Sequence, residues 1–431
     1  MKIFLIIIIF FLNINFAYSS PDLIFFIESA YKNNPKLKAE RENLKAIEEN
    51  INISKSEFLP NITVSGTLDS SQSINRTDQS GSSLSDTNND TSTQSVSVDQ
   101  KIFQGFEGYN SFQKSKLEVD QANYKLKDIE QTIILESANA YYDLIYKNKS
   151  KEFNFDNLDL LERQFESDQS RLQRGEISLT DLSQSESSLA GANADFISAG
   201  NELLIAKSNF ERIIRTTVPE KFDEKLSLNM VLPESLDEAL KLAEKNNPKL
   251  MIADLNYKIS ERDVNIERSK MSPSASINYS KSKSDDFSST VDEVEKESVK
   301  ATVTWPIIKG GKNYSLLKKS KYKRNKNRLI LEDTFNEVKT DTLNAWSLYR
   351  SSESVLKSTQ AQVKASEIAN EGITLEYESG NTRSTLEVIQ SRSLLLNARV
   401  ANAKAERNFI VSKFNLLSVI GELTLENLKK Y

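Results

Sequence analysis

The chain has 431 residues, 27% of them charged and 38% hydrophobic, a formal net charge of −5, and neither His nor Cys. Without thiol or imidazole it has no disulfide, no Cys for lipid attachment and none of the commonest general bases, nucleophiles or soft metal ligands, so a non-enzyme without cofactor or metal is expected. The mild acidity argues against a nucleic-acid partner, and 12 Gly with 8 Pro favour long uninterrupted amphipathic helices over a compact α/β core.

Lys2 precedes an unbroken apolar run from Ile3 to Leu12, followed by small residues around Ala17 and Ser19. This is the pattern of a secretory signal peptide, residues 1–19. Asn13 and Asn15 end the run well short of the ~20 apolar residues a membrane-spanning helix needs. No later stretch reaches that length, so the mature chain is expected to be periplasmic, secreted or inserted in the outer membrane by β-strands.

Beyond the leader, one unit is written twice. Asn33-Asn34-Pro35-Lys36-Leu37 recurs as Asn246-Asn247-Pro248-Lys249-Leu250, and the same offset carries Pro60 onto Pro273. A slightly shorter offset carries Ile102 to Gly105 onto Ile307 to Gly310, and Asn139-Ala140-Tyr141 onto Asn344-Ala345-Trp346. The predicted organisation is a first repeat at 20–215 containing a strand hairpin at 61–104, an inter-repeat segment at 216–233, a second repeat at 234–420 with its hairpin at 274–308, and a C-terminal segment at 421–431.

Each repeat opens on a helix with heptad spacing: Leu37, Leu44, Ile51 and Phe58, then Leu250, Tyr257, Val264 and Met271. Alternating stretches follow, around Ile62 to Leu68 and Gln94 to Phe103, and again around Ser276 to Tyr279 and Val299 to Trp305, as strands alternate. The polar segments between them, Ser70 to Thr93 and Lys281 to Lys296, are expected to be exposed hairpin loops. From Tyr109 to about Leu172 and from Tyr314 to about Glu378 there is no Pro; helices of roughly 60 residues span ~90 Å, a length suited to bridging a distance.

In the closing helix of each repeat one seam position is large (Leu182, Leu189, Phe196, Leu203, Phe210; Val388, Leu395, Phe409, Leu416) and the other mostly small (Ser185, Ala192, Ala199, Ala206, Ile213; Ser391, Ala398, Ala405, Ser412). Close approach to partner helices is expected there. Four strands cannot close a membrane barrel, which takes about eight or more, so the barrel must be shared between chains. Phe103, Phe106, Tyr279 and Trp305 are candidates either for interfacial aromatics or for packing at strand-to-helix corners. The basic run from Lys318 to Arg328 is read as a solvated helix face, with contact to anionic lipid head groups as the alternative.

The duplicated Asn-Asn-Pro helix starts, Leu59-Pro60 before the first strand, the corners Gln100 to Tyr109 and Trp305 to Tyr314, and the turns around Gly175 and Gly380 together resemble the outer membrane efflux (TolC-like) family over essentially the whole mature chain. The resemblance implies a mainly α fold with a small β part: coiled-coil helices forming an α-barrel, and four strands per chain contributing to a trimeric 12-stranded transmembrane β-barrel. It also implies an equatorial belt from the inter-repeat and C-terminal segments, and a location in the outer membrane with extension into the periplasm. The partners it implies are two further copies of the chain, a periplasmic adaptor, an inner-membrane transporter and outer-membrane lipid. The function implied is the passive exit duct of a tripartite efflux or type I secretion system. A periplasmic structural or adhesive coiled-coil protein would share the heptads and the leader but has no use for two polar-looped hairpins.

The resemblance further assigns a periplasmic gate clasp in which Thr180 and Asp181 face Tyr377 and Arg383, the last only if the one-residue insertion in the second turn is absorbed before it. Glu387 falls where the family carries an acidic entrance ring. The local alternative is that Ser178 to Asp181 and Ser384 to Glu387 are capping boxes, with Arg383 a surface residue.

Overall fold

The structure is a computed structural model and describes residues 23–219, 230–288, 291–379 and 383–429. The leader and most of the inter-repeat segment lie outside the described residues. In chain order the elements are α1 (Leu23–Asn33), α2 (Pro35–Ser56), β1 (Asn61–Ser73), β2 (Arg76–Thr77), β3 (Ser83–Leu84), β4 (Thr87–Gln104), α3 (Glu107–Gln173), α4 (Leu179–Ile214), α5 (Leu236–Asn246), α6 (Pro248–Ser269), β5 (Ser274–Ser288), β6 (Val291–Thr304), α7 (Lys312–Glu378), α8 (Thr385–Val419) and α9 (Leu425–Lys429). The two Pro-free stretches form single helices of 67 residues each, about 100 Å long at the α-helical rise. Two compact units draw on both repeats: one from the described residues of Met1–Lys38, Ile129–Lys245 and Asp341–Tyr431, the other from those of Ala39–Asp128 and Asn246–Thr340.

The first unit is helical. Leu23, Phe26, Ile27 and Ala30 make one apolar face of α1, fully buried, with the Phe26 ring edge-on to Phe210 of α4 at 5.2 Å and tilted against Tyr141 of α3 at 5.6 Å. Polar side chains serve backbone groups left over at the helix ends. Ser29 Oγ donates to the Ile214 carbonyl at 3.1 Å and Asn34 Nδ2 to the Ile213 carbonyl at 3.2 Å. The small seam residues Ser185, Ala192, Ala199 and Ala206 of α4, and Ser391, Ala398, Ala405 and Ser412 of α8, are all buried, as close helix approach requires. Ser352 and Ser412 share a buried hydroxyl hydrogen bond of 2.9 Å across one such approach.

The second unit carries a four-stranded antiparallel sheet in the order β1-β4-β5-β6. Asn61 pairs with Asp99, Asp99 with Asn278 and Asn278 with Lys300. The ladder continues well into the polar segments expected to be loops: β1 runs to Ser73 against Thr87, and β5 to Ser288 against Val291. Backbone pairing does not require apolar side chains, and here polar ones support it, Ser70 donating to Asp90 at 2.6 Å and Lys283 pairing with Glu293 at 3.0 Å. Between β1 and β4, β2 and β3 form a short separate hairpin.

Gly105 turns the chain from β4 into α3. Its φ of +59° is left-handed, and a Cβ there would lie 2.5 Å from the Ser272 Cβ and 2.6 Å from the Ser269 carbonyl, so only glycine fits. Beside this corner Phe103 and Phe106 meet edge-on at 5.5 Å, and both rings, with Trp305, are exposed in the single chain. Trp305 Nε1 donates to the Met271 carbonyl at 3.2 Å.

Candidate functional site

In the first unit, two turns between helices hold the residues singled out in the sequence. Gly175, with φ +72°, ends α3, and Ser178 caps α4: Ser178 Oγ accepts from the Asp181 N–H at 3.2 Å and Asp181 accepts from the Ser178 N–H at 3.0 Å. The Ser178 hydroxyl, which also donates to Asp181 at 2.7 Å, and after it the Ser178 N–H hold the Asp181 carboxyl below the usual carboxylate range. Ser384 and Glu387 build the same box on α8, with the Ser384 N–H donating to Glu387 at 2.8 Å and Ser384 Oγ accepting at 3.3 Å. That backbone bond, then Arg383, lowers the Glu387 pKa. Arg383 reaches Glu376 at 2.6 Å and Glu387 at 2.9 Å. Thr180 is exposed.

No hydrogen bond or ion pair among the described residues joins Thr180 or Asp181 to Tyr377 or Arg383. Tyr377 instead has partners on α3 and α8. Its hydroxyl donates to Asp168 Oδ1 at 3.1 Å and shares a 3.1 Å bond with Thr385 Oγ1. Gln164 Nε2 donates to it at 3.3 Å, and Arg171 donates to it while lying 4.8 Å over its ring. Burial is the main cause of the raised Tyr377 pKa, so the phenol keeps its proton at neutral pH. Asp168 is fully buried; it also accepts from Ser185 of α4 and, at 3.0 Å, from Gln164. One carboxylate thus ties three helices together.

Of these residues the sequence marks Tyr377 but not Asp168, Gln164 or Arg171. A signal was present. After Leu158 and Leu161, the inward positions of α3 pass to Gln164, Asp168 and Arg171 at spacings of three and four, so polar residues take over an apolar seam at its turn end.

In the second unit, alternation and register give the sheet two different faces. Ile62, Val64 and Leu68 of β1 share a face with Val96 and Val98 of β4, Ile277 and Tyr279 of β5, and Val299, Ala301 and Val303 of β6. The other face carries Thr63, Ser65, Ser95, Ser97, Asn278, Ser280, Ser298 and Thr302, linked across strands by Ser65 to Ser95 at 2.8 Å, Asn278 to Asp99 at 2.6 Å and Ser280 to Ser298 at 2.9 Å. Toward the β5–β6 hairpin the apolar face gives way to charge, Lys281 opposite Glu297 and Lys283 opposite Glu295. Among the described residues β1 and β6 have no strand partner at their outer edges.

An apolar band backed by a hydroxyl-rich face is the pattern of strands that meet lipid on one side and water on the other. In a chain otherwise built of very long helices, it defines an outer-membrane channel component. A model of the outer membrane efflux protein family matches residues 26–214 and 239–422. Outer membrane efflux protein BepC of Brucella suis is 24% identical over 400 residues, covering 93% of this chain and 85% of its own. Outer membrane protein TolC of Escherichia coli is 22% identical over 419 residues, covering 93% and 82%. Among solved structures, the Campylobacter jejuni CmeC outer membrane channel superposes with a TM-score of 0.81 at 14% identity over 95% of this chain and 88% of its own. The Vibrio cholerae outer membrane protein VceC gives 0.77 at 15% over 93% and 96%. The chain belongs to the outer membrane efflux protein family; it is an outer-membrane exit duct for efflux and not an enzyme.

Proposed function

We propose that this chain is one subunit of a homotrimer serving as the exit duct of a tripartite efflux or type I secretion system, joined to an inner-membrane transporter through a periplasmic adaptor. The observation that carries the reading is the two-faced sheet of four strands with open edges. Lipid cannot satisfy unpaired edge groups, and four strands are too few to close; three chains joined edge to edge give a closed 12-stranded barrel with the apolar band outward and the hydroxyl-rich face inward. Exposed apolar residues recurring at heptad spacing on α7, Leu348 with Val355 and Ile368 with Leu375, would be covered by neighbouring copies.

At the helical turns, Thr180 and Asp181 would clasp Tyr377 or Arg383 of a neighbouring copy, while Glu387 would contribute to an acidic entrance ring. The intrachain bonds of Tyr377 to Asp168 and Arg171 supply a second, internal part of the clasp. Charge-assisted hydrogen bonds suit a reversible closure because they break and remake without unpacking the seams.

Planar-bilayer recordings test this. The purified protein should form channels that multivalent cations block, and Glu387→Ala should weaken the block by about tenfold, three converging carboxylates being lost at once. Because the folded-state pKa of Glu387 is depressed, its charge persists at neutral pH and the block should fade only as pH falls below the ordinary carboxylate range. A block of unchanged strength in Glu387→Ala leaves that residue a cap alone.

A further inference from the structure

A half-open cavity of about 600 Å³ lies where the sheet meets the helices of the second unit, lined by Lys101 and Gln104 of β4, Lys270 after α6, and Lys309 and Lys312 at the start of α7. Its lining takes Lys101, Gln104 and Ser274 from the hydroxyl-rich face, since Lys101 pairs with Ser276, Gln104 with Ser274 and Ser274 with Thr304, and Phe103 from the edge of the apolar one, opposite Ala275. Phe103, Pro306 and Leu316 give it an apolar wall. Lys270 is engaged with Glu267 at 2.9 Å, whereas Lys101, Lys309 and Lys312 form no ion pair among the described residues. Among the described lining residues the one carboxylate is that of Glu107.

The duplicated sequence shows that the fold does not demand lysine at 270, 309 or 312. Superposing the repeats places Glu57 at the position of Lys270, Gln104 at that of Lys309 and Glu107 at that of Lys312. At these three positions the corner is thus built once with neutral and acidic residues and once with basic ones, while Lys101 of the first copy matches Pro306 of the second. A volume in the range of small-ligand pockets, an apolar wall, hydroxyls and four lysines along one lining together suit a receptor for an organic anion.

We propose that this cavity binds the phosphate or carboxylate groups of anionic molecules moving along the hydroxyl-rich face. The inference rests on the reading of that face as the wall of the conduit. Inorganic pyrophosphate is the probe, added to trimers recorded in planar bilayers of phosphatidylcholine. It should reduce wild-type conductance saturably; Lys101→Gln, Lys309→Gln and Lys312→Gln combined should raise the half-blocking concentration about tenfold, as loss of several partly exposed charge contacts implies, and Lys→Arg at the same sites should leave it within about threefold. Lys309→Gln alone copies Gln104 of the matching corner, so it keeps a residue this turn already accommodates, and should show a partial shift. Repeating the titration with phosphatidylglycerol distinguishes the anion's source: an unchanged midpoint points to dissolved anions, and a raised one to lipid phosphate filling the same site. Conducting wild-type channels indifferent to pyrophosphate, or equal midpoints in wild type and the Lys→Gln variants, would overturn the anion site while leaving the duct intact. Wild-type trimers that do not conduct at all would instead overturn the duct.

Discussion

Asp168→Ala should produce a leaky, more conductive channel whose helical turns lose order before the rest of the helices. The carboxylate is fully buried and accepts from Gln164, Ser185 and Tyr377 on three helices. Alanine removes the common acceptor and leaves those donors in a site with little water. Breaking a buried polar network in this way costs about 3–5 kcal/mol per chain. Asp168→Asn retains one acceptor oxygen and should cost about 1–2 kcal/mol. Asp159 offers a control on the same helix: its pair with Arg163 at 2.7 Å is solvent-exposed, so Asp159→Ala should change stability by less than about 0.5 kcal/mol. Single-channel conductance and the entry of large antibiotics into cells give the readout. Wild-type conductance in a folded Asp168→Ala trimer would show that the turns are held elsewhere.

Val299→Arg should abolish assembly in the outer membrane. Val299 is 73% exposed in the isolated chain and sits on the apolar face opposite Tyr279. A lipid-facing arginine near mid-bilayer costs about 2–4 kcal/mol, and a trimer carries three copies. Ser298→Arg is the matched test of sidedness, because the neighbouring residue points to the hydroxyl-rich face and loses little more than one 2.9 Å hydroxyl bond to Ser280. Fractionation of outer membranes should recover the Ser298 variant as a trimer and the Val299 variant scarcely at all. Equal recovery of the two would mean that the apolar face does not meet lipid.

The sequence made the large features legible because each repeats a local rule. Heptads of large and small residues announce the closing helices, and the small members are buried as expected. Period-two alternation locates both hairpins, but hydrophobicity falls off before pairing does. The ladders therefore run deeper into the Ser- and Asp-rich segments than side-chain pattern alone indicates. The capping boxes at Ser178 and Ser384 were readable because their partners lie three residues apart. Tyr377 was reached only through the family resemblance, and its partner Asp168 not at all. The contact joins distant stretches of chain, and nothing local marks Asp168 except its place on an apolar seam. The lysine cavity was hidden for the same reason, since its charges come from β4, the end of α6 and the start of α7.

Native mass spectrometry of the detergent-extracted protein tests the central claim most directly. Open strand edges and two-faced strands predict a complex of three mature chains that survives extraction and falls apart only on unfolding. A stable single chain, soluble without detergent, would contradict the shared barrel and with it the duct.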